Sequence, residues 1–104
     1  MRRSQSVKGG SVNLLIDDIR DLNVDVIART GEAGINLLKT GLFSTVYLDY
    51  DLGHGVTGMA VLMDALKYMK EIIIVSGHPG GKAMMEEYLR KRDWTCFDSV
   101  WSKP

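Results

Sequence analysis

The sequence has no excess of charge of either sign, almost no cysteine and no long apolar run. Lys plus Arg and Asp plus Glu each count 13 in 104 residues, which argues against a general nucleic-acid binder, since such a protein needs a basic surface. Cys96 stands alone, which excludes a disulfide within the chain and is typical of a reducing compartment. The longest apolar runs, such as Ile72–Val75, are too short to span a membrane. We therefore expect a cytoplasmic protein with no membrane partner.

The apolar content is sufficient for one core. Hydrophobic residues make up 45% of the chain, which suits a single domain of this length. The basic, polar segment Met1–Gly10 ends in two glycines and is predicted to be a flexible arm, either native or added by cloning. The domain is therefore expected over residues 11–104.

Short apolar runs alternate with segments of helical spacing. Five strands are predicted, at Val12–Ile16, Val24–Ala28, Val46–Leu48, Glu71–Val75 and Phe97–Trp101. Helices are predicted from Thr30 to Leu38, after Thr57, and after the glycine-rich turn at residues 76–81. This alternation predicts a parallel sheet with right-handed crossovers. The stretch between the first two strands is too short for a normal crossover helix, so one turn at most is expected there.

Polar residues follow four of the predicted strands. They are Asp17 and Asp18, then Asp49, then Ser76, then Lys103. One aspartate at a strand end is more often a turn or capping residue, but parallel strands share one carboxyl edge, where the whole set would converge. Clustered carboxylates repel one another, and a hard cation such as Mg²⁺ or Mn²⁺ relieves that repulsion. The serine hydroxyl and lysine ammonium would suit phosphoryl oxygens, so the edge predicts a site for metal and phosphate.

Two further side chains are expected near this edge. Arg20 follows the acid pair and is predicted either to clamp a phosphate or to form a salt bridge with Asp17 or Asp21. Asp51 would face the same side as Asp49 if the strand continued, as an extra acid or as a residue that caps the loop.

The turn His78–Lys82 is the second candidate for binding an anion. It opens a helix, so backbone N–H groups such as that of Gly81 are expected to face the ligand, with the charge of Lys82 beside them. His78 itself is a candidate proton donor to a leaving oxygen.

The ordered set of polar residues resembles response-regulator receiver domains over nearly the whole chain from Val12. The matching positions are Asp17-Asp18 for the acid pair, Asp49 for the phosphoacceptor, Ser76 for the hydroxyl residue and Lys103-Pro104 for the Lys-Pro pair. The resemblance implies a doubly wound, five-stranded parallel sheet of order 2-1-3-4-5, here with a reduced first helix and without the last helix. It also implies that a partner kinase phosphorylates Asp49 next to bound Mg²⁺, with Ser76 and Lys103 holding the phosphoryl oxygens.

Three segments are closer to the cyclic-phosphate-processing receiver-like family. They are Leu15–Arg20, Tyr47–Gly53 with the following Thr57-Gly58, and Ile74–Gly81. This resemblance implies that the domain handles a cyclic phosphate or a similar nucleotide-like ligand. The chain departs from the family pattern at Tyr50, where the family usually has His, and at His78, where it usually has Asn.

The leading hypothesis is therefore a receiver-like domain that binds a divalent metal and a phosphate-bearing small molecule, with metal-dependent phosphoesterase activity on a cyclic phosphate as the candidate reaction. The metal ligands would be Asp17, Asp18 and Asp49. The catalytic set would be Asp49, Ser76, His78 and Lys103, and the substrate-binding set Arg20, Asp51, Gly81 and Lys82. Two alternatives stay open: a stand-alone receiver phosphorylated on Asp49, and a non-catalytic module that binds another protein.

Overall fold

The computed structural model describes residues 11–104, so the predicted arm Met1–Gly10 lies outside the described residues. The strands are β1 (Asn13–Ile16), β2 (Val26–Ala28), β3 (Thr45–Leu48), β4 (Glu71–Ile74), β5 (Thr95–Phe97) and β6 (Val100–Ser102). The helices are α1 (Gly31–Leu38), α2 (Gly58–Ala65) and α3 (Pro79–Arg90), with a 3₁₀ turn at Leu66–Tyr68. All six strands join one sheet of order β2-β1-β3-β4-β6-β5.

The first four strands are parallel, as predicted, and their ends are level. Ile16 pairs with Ala28 on one side and with Leu48 on the other, and Leu48 pairs in turn with Ile74. These strands are nearly continuous apolar runs because both faces are covered, and Leu15, Ile16 and Leu48 are fully buried. The register places the residues after β1, β3 and β4 side by side at the carboxyl edge.

Local capping explains where the helices begin. The Thr30 hydroxyl accepts a hydrogen bond from the Ala33 N–H at 3.0 Å, and the Thr57 hydroxyl accepts one from the Ala60 N–H at 3.3 Å, so both predicted N-caps are confirmed. The crossover from β1 to β2, residues 17–25, contains no helix. This agrees with the prediction that the helix between the first two strands is reduced. Within the described residues, no helix is long and apolar enough to cross a membrane.

The predicted fifth parallel strand is wrong. Residues 95–102 form the antiparallel hairpin β5–β6, and β6 pairs antiparallel with β4 through Glu71↔Ser102 and Ile72↔Trp101. Asp98 and Ser99 make the tight turn with φ values of 51° and 67°. Two consecutive positive φ values suit the two-residue turn that joins twisted antiparallel strands, and Asp tolerates this conformation better than most residues. The sheet is therefore mixed and six-stranded, and the chain runs back towards the amino edge.

Candidate metal centre

Three carboxylates meet at the carboxyl edge. Asp17 directly follows β1, Asp49 directly follows the neighbouring β3, and Asp18 comes next along the first loop. One oxygen from each of the three lies within 4.8 Å of the others. Asp17 is only 1% exposed and Asp49 9%, while Asp18 is half-buried. Like charges this close and this poorly hydrated favour the approach of a cation.

Asp17 already has a cationic partner within the chain. Its Oδ1 accepts hydrogen bonds from the N–H groups of Ile19, at 3.1 Å, and Arg20, at 3.0 Å. Its Oδ2 accepts one from Arg20 Nη1 at 2.7 Å, and the same nitrogen lies 4.0 Å from Asp49 Oδ1. Of the roles predicted for Arg20, the structure therefore contains the salt bridge to Asp17.

A second arginine, which was not among the sequence candidates, holds the loop that carries the acid pair. Arg29 Nη1 donates to the backbone carbonyl of Arg20 at 2.8 Å and to that of Asp17 at 3.4 Å, and Nη2 pairs with the carboxylate of Asp21. The position of Arg29 directly after β2 could have indicated this, because β2 neighbours β1 and shares its carboxyl edge.

The surroundings of Asp49 raise the pKa of its carboxyl group. Burial is the largest cause, and the charge of Asp17 adds to it. The N–H of Tyr50, which donates to Asp49 Oδ1 at 2.8 Å, the charge of Arg20 and the Ser76 hydroxyl all lower the pKa but do not cancel the rise. Asp49 is thus a carboxylate whose charge is not fully compensated within the chain.

A cleft of about 320 Å³ opens beside Asp49. Its lining residues are Arg20, Asp49, Asp51, Ser76, Gly77, His78 and Pro79. The Ser76 Oγ accepts the N–H of His78 at 2.9 Å, and Asp51 Oδ1 accepts the N–H of Gly53 at 2.9 Å. The cleft therefore brings Arg20, Asp51, Ser76 and His78 together next to the three carboxylates.

His78 caps helix α3 with its own ring. Its Nδ1 accepts the N–H of Gly81 at 2.8 Å, so the neutral ring carries its proton on Nε2. The ring also lies 4.9 Å from the ring of Tyr50, between centroids. The Gly81 amide, predicted to face an anion, is bonded to His78 instead, and neither Gly81 nor Lys82 is among the residues that line the cleft, so a role for Lys82 in binding stays a prediction. Gly81 instead packs flat against Tyr50, where a Cβ would overlap the ring.

Lys103 lies at the opposite edge of the sheet. Its backbone N–H contacts the carbonyl of Lys70 at 3.4 Å, just before β4 begins, whereas Ser76 follows the other end of β4. Six residues of extended chain span about 20 Å, which a lysine side chain cannot bridge. The expectation that Lys103 joins the site is therefore wrong, because it relied on a parallel last strand and the hairpin reverses the chain.

The parallel core and the acidic cleft at its carboxyl edge define a receiver-like α/β domain. Residues 12–91 match the family model of the cyclic-phosphate processing receiver domain, and the chain belongs to that family. Comparison with curated proteins and with solved structures finds no significant match. The family match includes the acid pair, Asp49, Ser76 and His78, and it ends before the β5–β6 hairpin and Lys103.

Proposed function

We propose that this domain binds Mg²⁺ or Mn²⁺ through Asp17, Asp18 and Asp49, and binds a phosphate-bearing small molecule in the adjoining cleft. The observation that carries the proposal is the convergence of three carboxylate oxygens within 4.8 Å of one another, since one of the three residues, Asp49, also lines that cleft. Oxygen donors are what these cations prefer, and burial, with the charge of Asp17, raises the pKa of Asp49, whose ionised form a cation would stabilise. The donor set therefore fits a hard divalent ion.

A cyclic phosphate is the ligand class that we propose, because the family is described by cyclic-phosphate processing. The bound cation would neutralise the carboxylates and polarise the phosphate. Among the chain's own groups, the Arg20 guanidinium has the planar donor pair that suits two phosphate oxygens, and the Ser76 hydroxyl can donate to a third. Asp51 lines the same cleft and can accept a hydrogen bond from a ligand hydroxyl.

His78 is the proposed hydrogen-bond donor to the departing oxygen if the ring of the cyclic phosphate is opened. Hydrolysis breaks one P–O bond, places the hydroxyl of water on phosphorus and leaves a proton on the departing oxygen. The Nε2–H of His78 faces no intramolecular partner among the hydrogen bonds of the described residues, since the cap uses Nδ1. It can donate a hydrogen bond to the departing oxygen, which takes its proton from the attacking water, so the imidazole stays neutral throughout.

Phosphorylation of Asp49 by a kinase is the second candidate function, and one observation weighs against it. Receiver domains are expected to hold the phosphoryl group with a lysine as well as a hydroxyl residue, and Lys103 lies at the far edge of this sheet. The cation that faces Asp49 is Arg20 instead.

Two measurements test the proposal. Calorimetry should detect single-site Mg²⁺ binding that the double substitution Asp18→Ala, Asp49→Ala removes; unchanged binding in that variant would contradict the metal site. Incubation with Mg²⁺ and a panel of 2′,3′- and 3′,5′-cyclic nucleotides and cyclic sugar phosphates, followed by ³¹P NMR, should reveal binding or ring opening. An acyl-phosphate adduct after treatment with acetyl phosphate, with no response to the panel, would favour the receiver alternative.

A further inference from the structure

The guanidinium of Arg20 contacts a carboxylate oxygen of Asp17, one of the three proposed metal ligands. Asp17 has two carboxylate oxygens, and Oδ1 already accepts two backbone N–H groups. Oδ2 is bonded to Arg20 Nη1 at 2.7 Å, and this nitrogen reaches to within 4.0 Å of Asp49. Within the chain, Arg20 therefore supplies the positive charge at the place where the three carboxylates converge.

A divalent ion and this guanidinium cannot share the site without cost. Both are cations, and at a separation of about 4 Å their repulsion is strong in a partly dehydrated pocket. Asp17 is almost completely buried, and its Oδ1 is already used by two backbone N–H groups, which leaves Oδ2 for a metal. Coordination through Oδ2 would place the ion beside the guanidinium of Arg20 on one oxygen, and the repulsion between the two cations favours displacement of the guanidinium.

The local structure allows the guanidinium to leave while the loop stays in place. The backbone of Arg20 is held at both polar groups: its N–H donates to Asp17 Oδ1, and its carbonyl accepts from Arg29 Nη1. Its side chain is 37% exposed and already lines the cleft with Ser76 and His78. Rotation of side-chain torsions is therefore enough to move the charge from Asp17 into the cleft.

We propose that Arg20 is an internal cation that competes with the metal for Asp17 and, once displaced, binds the phosphate of the ligand, so that metal and phosphate strengthen each other's binding. The inference rests on the proposed function and concerns how the two halves of that site are linked. Because such coupling is reciprocal, the factor by which phosphate tightens metal binding equals the factor by which metal tightens phosphate binding.

The test compares Arg20→Gln with the parent and uses Mg²⁺ alone and inorganic phosphate as probes. By calorimetry, the variant should bind Mg²⁺ about tenfold more tightly than the parent when phosphate is absent, as expected for a typical coupling. Saturating phosphate should tighten Mg²⁺ binding to the parent several-fold and leave the variant unchanged. Lys39→Gln is the matched control, because it removes the same charge from an exposed residue at the far end of α1.

A second readout follows the arginine directly. The Nε–Hε NMR resonance of Arg20, assigned by its absence in Arg20→Gln, should shift when Mg²⁺ is added to the parent. Arg20→Lys serves as a second variant in case Arg20→Gln does not fold. It should bind Mg²⁺ with an affinity between those of the parent and Arg20→Gln, since it keeps one positive charge.

The possible results distinguish a failure of the competition between Arg20 and the metal from a failure of the proposed metal site itself. Equal or weaker Mg²⁺ binding by Arg20→Gln, or phosphate coupling that persists in that variant, would overturn the competition while leaving the metal site intact. Absence of Mg²⁺ binding in both the parent and the variant would overturn the proposed function itself. Mg²⁺ binding by Arg20→Gln but not by the parent would mean that Arg20 excludes the metal completely when phosphate is absent.

Discussion

Replacing Asp49 with asparagine should stabilise the metal-free domain and abolish the stabilisation that Mg²⁺ provides. Asparagine keeps an oxygen for the Tyr50 N–H but removes a carboxylate whose pKa is raised, mainly by burial. An oxygen of Asp17 lies within 4.8 Å of one of Asp49, so at an effective dielectric constant near 20 the repulsion between them is at least about 3.5 kcal/mol. The attraction to Arg20 across 4.0 Å is about 4 kcal/mol.

These two interactions nearly cancel, so the burial of the charge decides the sign. We expect the free energy of unfolding at pH 7 to rise by about 1 kcal/mol, a common gain for a stabilising substitution. For a domain of this size, that gain raises Tm by about 4–8 °C. Saturating Mg²⁺ should raise the Tm of the parent but leave the variant unchanged, since only the folded parent binds the ion.

The gain should depend on pH in one direction. A carboxyl group whose folded-state pKa is raised destabilises the fold once pH exceeds its ordinary pKa, and the full effect is present above the raised value. The advantage of Asp49→Asn should therefore be complete at pH 7, shrink as pH falls through the raised pKa of Asp49 and vanish below the ordinary pKa of aspartate.

Differential scanning fluorimetry with and without Mg²⁺, across that pH range, measures both effects. Asp64→Asn provides the control, because it makes the same change at an exposed position on α2. A lower Tm for metal-free Asp49→Asn than for the control at pH 7 would refute the electrostatic reasoning. A Tm rise with Mg²⁺ equal to that of the parent would remove Asp49 from the ligand set.

Three other substitutions probe the supports of the site. Gly53→Ala places a Cβ 3.0 Å from Asp18 Oδ2 at a φ of 83°, so thermal unfolding should show a loss of about 1 kcal/mol and calorimetry a weaker Mg²⁺ affinity. Unaltered stability would mean that the loop adapts freely. Arg29→Met removes the donors that hold the acid-pair loop and should weaken Mg²⁺ binding about tenfold, the usual effect of losing a group that orients metal ligands. Affinity equal to the parent's would show that the loop keeps its shape unaided. Lys103→Ala should leave Mg²⁺ and phosphate affinities unchanged, and a marked loss of either would contradict its placement beside Lys70.

Local rules were sufficient to predict the helices and the site's acidic half. Thr30 and Thr57 cap helices where their sequence context predicts it, because the capping bond forms between residues three apart. The convergence of Asp17 and Asp49 follows from topology alone, since each directly ends a strand of a parallel sheet. Neither inference requires knowledge of a distant contact.

The last strand could not be predicted by the same rules. A short apolar run is equally typical of a parallel and an antiparallel strand, so its direction depends on how the chain arrives at the sheet. Asp98 and Ser99 interrupt the run between Phe97 and Val100, but a pair of polar residues inside five strand-like positions is a weak turn signal without glycine. The misplacement of Lys103 followed from that single missed turn.

The roles of the polar residues around the carboxylates show a different limit of prediction from sequence. Sequence position predicts which side chains reach the carboxyl edge, yet their roles depend on which hydrogen bonds they form once they are there. His78 uses Nδ1 to cap its own helix, which removes the Gly81 amide from the predicted anion cradle and leaves Nε2 as the donor. Helix capping competes with ligand binding for the same N–H groups, and only the three-dimensional arrangement decides the outcome.

Arg20 illustrates why two readings of one residue need not exclude each other. A salt bridge to Asp17 and a phosphate clamp were alternatives at the level of sequence, and the structure contains the salt bridge. A guanidinium that faces both a buried carboxylate and an open cleft has two partners of the same sign within reach of one side chain. Since a bound cation would change which partner is favourable, the salt bridge does not argue against the proposed phosphate clamp.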